Sequence, residues 1–461
     1  MAANKGKTMF VCTNCGFDAP KWSGKCPSCG QWNTMVEQSV KPSASKPLVR
    51  ISDGNSRHTH KLKDISAKEE PRIDMADAEL NRVLGGGLVK GSIVLLGGEP
   101  GIGKSTLILQ TVMSLKGKRV LYVSGEESAT QIKMRAERIA ENMEMDCSDD
   151  LMILCETSLE SIYDQARMLM PEVVIIDSIQ TISSEYVESS PGSLTQVREC
   201  AASLLKYAKE SGTPVILIGH ITKDGTIAGP KILEHIVDAV IQFEGDQHYM
   251  YRILRPIKNR FGSTAELGIY EMRQNGLRQV SNPSELLLTD NHQGMSGVSI
   301  ACTVEGARPF LIEVQALAST AVYGTPQRNA IGFDVRRMNM LLAVLEKRAG
   351  FKLGQKDVFL NIAGGLRVND PAIDLAVISA ILSSSLDLPI DRTVCMAGEI
   401  GLSGEIRPVS RIEQRISEAC TLGFGTILIP KNNMNGLDQS KFDIEIIPVQ
   451  KTEEAFRRLF S

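Results

Sequence analysis

No stretch of the 461-residue chain approaches the ~18 uncharged apolar residues of a membrane-spanning helix. The sequence therefore excludes a helical membrane bundle. Lys5 and Lys7 lie near the start, but no apolar run follows them. This pattern lacks a secretory signal and points to the cytoplasm. Aromatics are scarce at 5%, which argues against aromatic stacking platforms for bases. Net charge is only -3. Such a balance gives no global attraction to nucleic acid, so binding of that kind must use local patches. The chain also lacks the composition of a disordered or collagen-like protein. With 43% hydrophobic and 23% charged residues, it reads as an ordinary globular protein. At about 150 residues per domain, its length suggests roughly three domains. No internal repeat is visible.

Cysteine is unevenly placed. Four of ten crowd into residues 12–29, and the other six are scattered. In a cytoplasmic chain such a cluster reads as a metal site rather than as disulfides. Cys12-x-x-Cys15 and Cys26-x-x-Cys29 form two knuckles, each followed by a glycine, Gly16 or Gly30. Two-residue spacing aims both sulfurs of a pair at one ion, and two pairs complete a tetrahedral four-thiolate site. Structural Zn²⁺ is the expected occupant, with iron as the alternative. Trp22 and Trp32 flank the second knuckle. Packing around the metal is the expected role, and base or partner contact the alternative.

Residues 1–36 thus form a cysteine module. Residues 37–63 are rich in Ser, Lys, Pro, Asn and His and read as a flexible basic linker. From Met1 to Lys63 there are ten Lys/Arg against three Asp/Glu. A solvated linker and a nucleic-acid-facing arm fit equally well. Residues 64–280 alternate apolar strands with helical patterns. Strands are expected at Ser92–Leu96, Arg119–Val123, Leu151–Leu154, Val173–Asp177 and Pro214–Gly219. Helices are expected at Ser105–Leu115, Ser128–Glu141, Leu159–Leu169 and Thr195–Glu210. This alternation predicts an α/β core with a parallel sheet. Ala239–Phe243, Met250–Ile257 and Glu266–Met272 are expected to extend it antiparallel. Residues 285–461 restart as a separate α+β domain.

Gly98-Glu99-Pro100-Gly101-Ile102-Gly103-Lys104-Ser105 fits the phosphate-binding pattern G-x-x-x-x-G-K-[ST] in full. It follows an apolar strand and opens a helix that continues through Thr106, the context the motif needs. Its backbone N–H groups and the helix N-terminus hold phosphates. Lys104 is expected on the β/γ-phosphates of ATP and Ser105 on Mg²⁺. Asp177 ends the strand Val173–Asp177 and is the expected second Mg²⁺ partner. Glu126, with Glu127 as the alternative, is the candidate to polarise the attacking water. His220 ends another strand and is a candidate γ-phosphate sensor. Lys258-Asn259-Arg260-Phe261-Gly262 reads as a rigid basic turn. It is a solvated tip, a pair of cations for a neighbouring subunit's ATP, or a contact to DNA phosphates.

The four-cysteine ribbon, GEPGIGKST, SGEES, IIDSIQT, IGHITKDGTIAGPKILEHIVD and KNRFG occur in this order. Together they make the chain resemble the bacterial RadA (Sms) family over nearly its whole length. The resemblance implies a RecA-like ATPase core in a six-membered homo-oligomeric ring. It implies a DNA-dependent ATPase and helicase that drives branch migration with RecA, acting on single-stranded and branched DNA. Glu126 then falls on the catalytic glutamate and His220 on the γ-phosphate sensor. Lys258 and Arg260 reach the neighbour's ATP or couple ATP to DNA. Two loops would face the channel, Ser183–Ser193 and Thr222–Leu233, the latter with Lys223 and Lys231.

The stretch Asp357–Gly425 resembles the proteolytic domain of Lon. The serine position of that family falls on Ala372, in Asn369-Asp370-Pro371-Ala372-Ile373-Asp374. The lysine position falls on Glu413. A Ser–Lys dyad needs both groups, so a protease fold without proteolysis is expected. Its expected job is to stabilise the ring and offer a basic surface, with Arg328, Arg336, Arg337, Lys347 and Arg348 as candidates. The cysteine spacing yields a first prediction. Metal analysis of freshly purified protein should find zinc. Cys15→Ser or Cys26→Ser should release it and unfold residues 12–29, while ATP binding by the core survives.

Overall fold

A computed structural model of the chain describes residues 7–12, 18–27, 30–40, 71–143, 149–220, 230–245, 251–288, 294–321 and 326–460. It forms two compact units. The first comprises Met1–Gln247, Arg252–Thr264 and Gly268–Gln279, and the second His248–Tyr251, Ala265–Leu267 and Val280–Ser461.

The N-terminal module is a three-stranded sheet in the order Asp18–Ala19, Lys7–Cys12, Met35–Val40. The last strand runs past residue 36, into the stretch expected to be linker. It does so because Lys7–Cys12 is paired along its whole length, from Lys7 with Val40 to Cys12 with Met35. Linker residues 41–63 lie outside the described residues.

The core sheet has nine strands. In spatial order they are Gly276–Gln279, Gly268–Arg273, Tyr251–Asn259, Ala239–Glu244, Ile93–Gly98, Val215–His220, Val173–Asp177, Val120–Ser124 and Leu151–Cys155. Alternation explains why its central strands are almost wholly apolar. Val94, Leu96, Tyr122, Ile175 and Ile216 pack on one face with the helices Ala78–Leu84, Lys104–Met113 and Ala129–Met143. Ile93, Leu95, Leu121, Val123, Val174 and Leu217 pack on the other with Leu159–Leu169 and Leu194–Ser211. A parallel strand covered on both faces has no polar side to show.

Ala239–Glu244 departs from expectation. It runs parallel to Ile93–Gly98, not antiparallel. The helix Pro230–Ile236 lies between Val215–His220 and this strand and supplies the crossover a parallel pair needs. Antiparallel pairing begins one strand later, with Tyr251–Asn259.

The second unit is built on a seven-stranded mixed sheet. Its order is Arg328–Ile331, Lys356–Ile362, Arg308–Thr320, Val298–Glu305, Val394–Met396, Thr426–Pro430, Glu445–Val449. The helical segment 371–386 is split. Asp370 caps a short 3-10 turn, Pro371–Ile373, and the α-helix Asp374–Leu386 follows.

That helix starts with a fully buried carboxylate. Arg337 holds Asp374 with two parallel bonds, Nε to Oδ1 at 2.7 Å and Nη2 to Oδ2 at 2.5 Å. The Ile400 N–H adds a third at 3.1 Å. Burial raises the Asp374 pKa against the opposing pull of Arg337 and Ile400. Arg337 is thus an internal tie, which removes it from the expected basic surface. Arg336, Lys347 and Arg348 are exposed.

Arg337→Ala should cost about 3–5 kcal/mol, because it strands a buried charge. The urea midpoint of this unit's unfolding reports the loss, and adding Asp374→Asn should recover part of it. A folded-state pKa raised above the unfolded value favours the protonated fold. The Arg337→Ala deficit should therefore shrink as pH falls through the Asp374 pKa and grow as pH rises.

Candidate active site

The loop from Gly98 to Ser105 joins the buried strand Ile93–Gly98 to the helix Lys104–Met113. Gly98 is flanked by His220 on one neighbouring strand and Phe243 on the other. A Cβ there would stand 2.6 Å from the Phe243 carbonyl oxygen, so only glycine fits. Gly103 precedes the helix at φ 110 and has no side chain to cap it. The first-turn N–H groups are therefore available to an anion. Glu99, Pro100 and Gly101 are exposed at the rim. Ile102 is buried beneath them, and Ser105 and Thr106 are half-buried.

Lys104 is almost fully buried at 4% exposure. Its ammonium donates to the carbonyls of Gly98 and Glu99, each at 2.9 Å. Burial lowers its pKa to about 8, despite the opposing charges of Asp177, Glu126 and Glu99. The ammonium also lies 3.3 Å from His220 Nδ1. With Lys104 donating there, the ring carries its proton on Nε2, which lies 3.2 Å from Glu126 Oε1. Ser178 Oγ donates to the same oxygen at 2.5 Å. Burial pushes the Glu126 pKa up, but the bonds from Ser178 and His220, with the charge of Lys104, bring it below its ordinary value.

These contacts form one chain, Lys104–His220–Glu126–Ser178. Asp177 ends the strand beside it, buried, and accepts the Tyr122 hydroxyl at 2.5 Å. Glu127 is directed elsewhere, into an ion pair with Arg135, so the structure places Glu126 and not Glu127 in the group. Ser178 and Tyr122 escaped the sequence reading. Ser178 directly follows the Asp177 that ends an apolar strand, a signal within reach. Tyr122 sits inside a buried strand and looks like any core aromatic.

Two expected cations lie apart from this group. Asn259 is level with Ala239, and Ala239 with Val94, four residues before Gly98. At about 3.3 Å per residue, that places the Lys258–Gly262 turn ~13 Å down the sheet from the loop. Lys258 donates to the Glu234 and Val237 carbonyls, at 2.5 and 2.8 Å. Arg260 pairs with Asp238 at 3.2 Å and stays 56% exposed. Asn259 bonds the Val83 carbonyl and Arg72 bonds that of Phe261, so the turn is pinned. Neither cation serves its own chain's phosphate loop.

Of the expected channel loops, Ser183–Ser193 is described. Gln196 straps it, accepting from the Ser184 N–H and donating to the Ser184, Val187 and Ser189 carbonyls. Lys223 lies outside the described residues. Lys231 falls in the helix Pro230–Ile236.

In the N-terminal module, Cys12 and Cys26 are both buried and share one small cluster with Met35. The Gly30 N–H bonds the Cys26 carbonyl at 2.9 Å, with Gly30 at φ 71, closing a tight knuckle. Cys15 and Cys29 lie outside the described residues. Buried thiols at a knuckle fit a thiolate metal site.

The Lon-like turn has no nucleophile. Ala372 is fully buried in apolar surroundings. The expected lysine position, Glu413, does not face this turn. Glu413 is exposed, and the residue of the helix Ile412–Thr421 that reaches the turn is Arg415. Two positions on a helix are about 200° apart, so they point to opposite sides. Arg415 is 2.7 Å from Asp370 and donates to the Cys302 and Ser410 carbonyls.

Comparison with known proteins agrees with this geometry. A family model described as an AAA domain matches residues 57–226. One described as a rubredoxin metal binding domain matches residues 10–37. One described as subunit ChlI of Mg-chelatase matches residues 313–433. DNA repair protein RadA of Bacillus subtilis strain 168 is 49% identical over 457 residues, covering 98% of each chain. Its Listeria monocytogenes counterpart is 46% identical over 460 residues, covering 99% of each. The chain belongs to the RadA family. Its core is an AAA, RecA-like ATPase domain, between a rubredoxin-like ribbon and a ChlI-type, Lon-like domain. A KaiC-like protein from Pyrococcus horikoshii OT3 is 19% identical. It covers 46% of this chain and 99% of its own, with a TM-score of 0.37. Among the described residues no helix is long and apolar enough to cross a membrane.

The two glutamates give a direct test. Glu126→Gln should leave nucleotide binding intact and slow ATP turnover by about 10²–10⁴-fold, the usual worth of a positioned base. Glu127→Gln should stay near the wild-type rate. Steady-state hydrolysis beside a nucleotide-binding titration separates the two.

Proposed function

We propose that this chain is a DNA repair motor. It is a DNA-dependent ATPase and helicase that drives branch migration of recombination intermediates in the cytoplasm, with RecA, as a six-membered homo-oligomeric ring. The relatives named DNA repair protein RadA support the repair role. One observation carries the motor reading: His220 touches both Lys104 and Glu126 and is the last residue of its strand. The next residues open the segment with Lys223, the candidate DNA loop. A change at the phosphate therefore has a direct mechanical route to that loop.

In this reading Lys104, the 98–103 backbone and Thr106 hold the phosphates of ATP. Ser105 and Asp177 hold Mg²⁺, which supplies charge neutralisation when bound. Glu126 orients the attacking water and His220 reads the γ-phosphate. Cys12, Cys15, Cys26 and Cys29 hold Zn²⁺ as a structural ion. Lys223 and Lys231 contact DNA. Arg260, exposed and far from its own phosphate loop, is the favoured cation for the neighbour's ATP. Lys258, bonded to the Glu234 and Val237 carbonyls, holds that turn against the end of the helix Pro230–Ile236.

A branched DNA substrate with ATP tests the motor, with and without RecA. Branch movement is expected, and Lys104→Ala should abolish it. DNA-stimulated hydrolysis without branch movement would instead support an ATP-switched ring that grips DNA without translocating. Mixing decides the trans role. Arg260→Ala and Lys104→Ala should each be silent alone, and mixed rings should regain hydrolysis at interfaces with an intact loop facing an intact arginine. No recovery on mixing would make the turn a DNA contact.

A further inference from the structure

The chain has two tryptophans, Trp22 and Trp32, both in the N-terminal module. The sequence suggested that they pack around the metal. In the structure Trp22 is 59% exposed and Trp32 70%. Two large exposed rings forfeit hydrophobic stabilisation and mark a contact surface.

The rings are neighbours. A Cβ built on Gly24 would lie 3.6 Å from each indole, so both border a position with no side chain. Trp22 Nε1 donates to the Met35 carbonyl at 3.2 Å, which anchors that ring to the strand Met35–Val40. Trp32 is bridged to Lys25, whose ammonium lies 5.9 Å from the centre of its ring. Lys21, one residue before Trp22, is exposed as well. The surrounding chain is strongly basic, with ten Lys/Arg against three Asp/Glu in residues 1–63.

We propose that Trp22 and Trp32 form a stacking platform for unpaired bases of a single-stranded nucleic acid, with Lys21 and Lys25 meeting its phosphates. Every base presents a π-face, so paired aromatics grip a strand without reading its sequence. Bases inside a duplex are already stacked and offer no free face, which restricts the platform to single strands. The flanking cations match a polyanion rather than an apolar protein patch. The low aromatic content of the chain argued against such platforms, yet both tryptophans are concentrated on one basic module. This inference rests on the proposed role at DNA and names a site for it outside the ATPase core.

Because both tryptophans of the chain sit here, intrinsic tryptophan fluorescence of the full-length protein reports on this surface alone. Oligothymidylate should quench it at low salt, and an abasic oligomer of equal length and charge should not. Trp32→Ala should weaken oligothymidylate binding about tenfold, within the range of one lost base stack. Trp32→Phe should keep most of the affinity. Zinc content must stay at the wild-type level in both variants, which shows that the module is folded. Oligothymidylate that binds by anisotropy without quenching, or equal quenching by the abasic oligomer, would overturn the platform and leave the DNA role standing. No binding in any nucleotide state would bring down the DNA role as well. Quenching by RecA protein but not by the oligomer would make the surface a protein-docking site and overturn the proposal.

Discussion

A buried lysine at an uncapped helix start is the contact around which the core is organised. Lys104 opens its helix behind a glycine, so no side chain competes for the first-turn N–H groups. Its ammonium is satisfied by the Gly98 and Glu99 carbonyls. This arrangement requires Ile93–Gly98 to lie inside a sheet covered on both faces, because only there are loop and helix held rigidly enough to present backbone donors to a phosphate. The two apolar clusters on either side of the sheet provide that cover.

His220 extends this arrangement outward. One imidazole touches the phosphate lysine with Nδ1 and the carboxylate of Glu126 with Nε2. A ring nitrogen pair can do this because one accepts while the other donates. Each contact thereby fixes the orientation that the other requires. Ser178 holds Glu126 from the opposite side. His220 is also the last residue of its strand. The cations at Lys258 and Arg260 sit at the far end of the sheet. There Lys258 bonds the Glu234 and Val237 carbonyls and Arg260 pairs with Asp238.

The second unit ties its helices to its sheet through arginine–carboxylate pairs. At the turn that resembles Lon, Ala372 lies in the core and Arg415 is bonded to Asp370. A guanidinium 1% exposed and in contact with a carboxylate and two backbone carbonyls is a structural tie. Arg337 with Asp374 is a second such tie on the neighbouring helix. Both fix the geometry between helices and sheet.

Much of this was legible in the sequence. The P-loop pattern, the strands at 173–177 and 215–220 and the helix at 159–169 follow from local rules: apolar runs, turn residues and helical spacing. Four cysteines in two knuckles declare a metal module by spacing alone. Tertiary structure decided what local rules cannot reach. Glu126 and Glu127 are adjacent and chemically alike, and only the positions of Arg135, Ser178 and His220 separate them. Glu413 and Arg415 differ by half a helical turn, and only the packed turn at Asp370 shows which one faces it. The direction of Ala239–Glu244 depended on a crossover that its own residues do not encode. Burial of a side chain is a property of its neighbours, and those neighbours lie up to a hundred or more residues away in the chain.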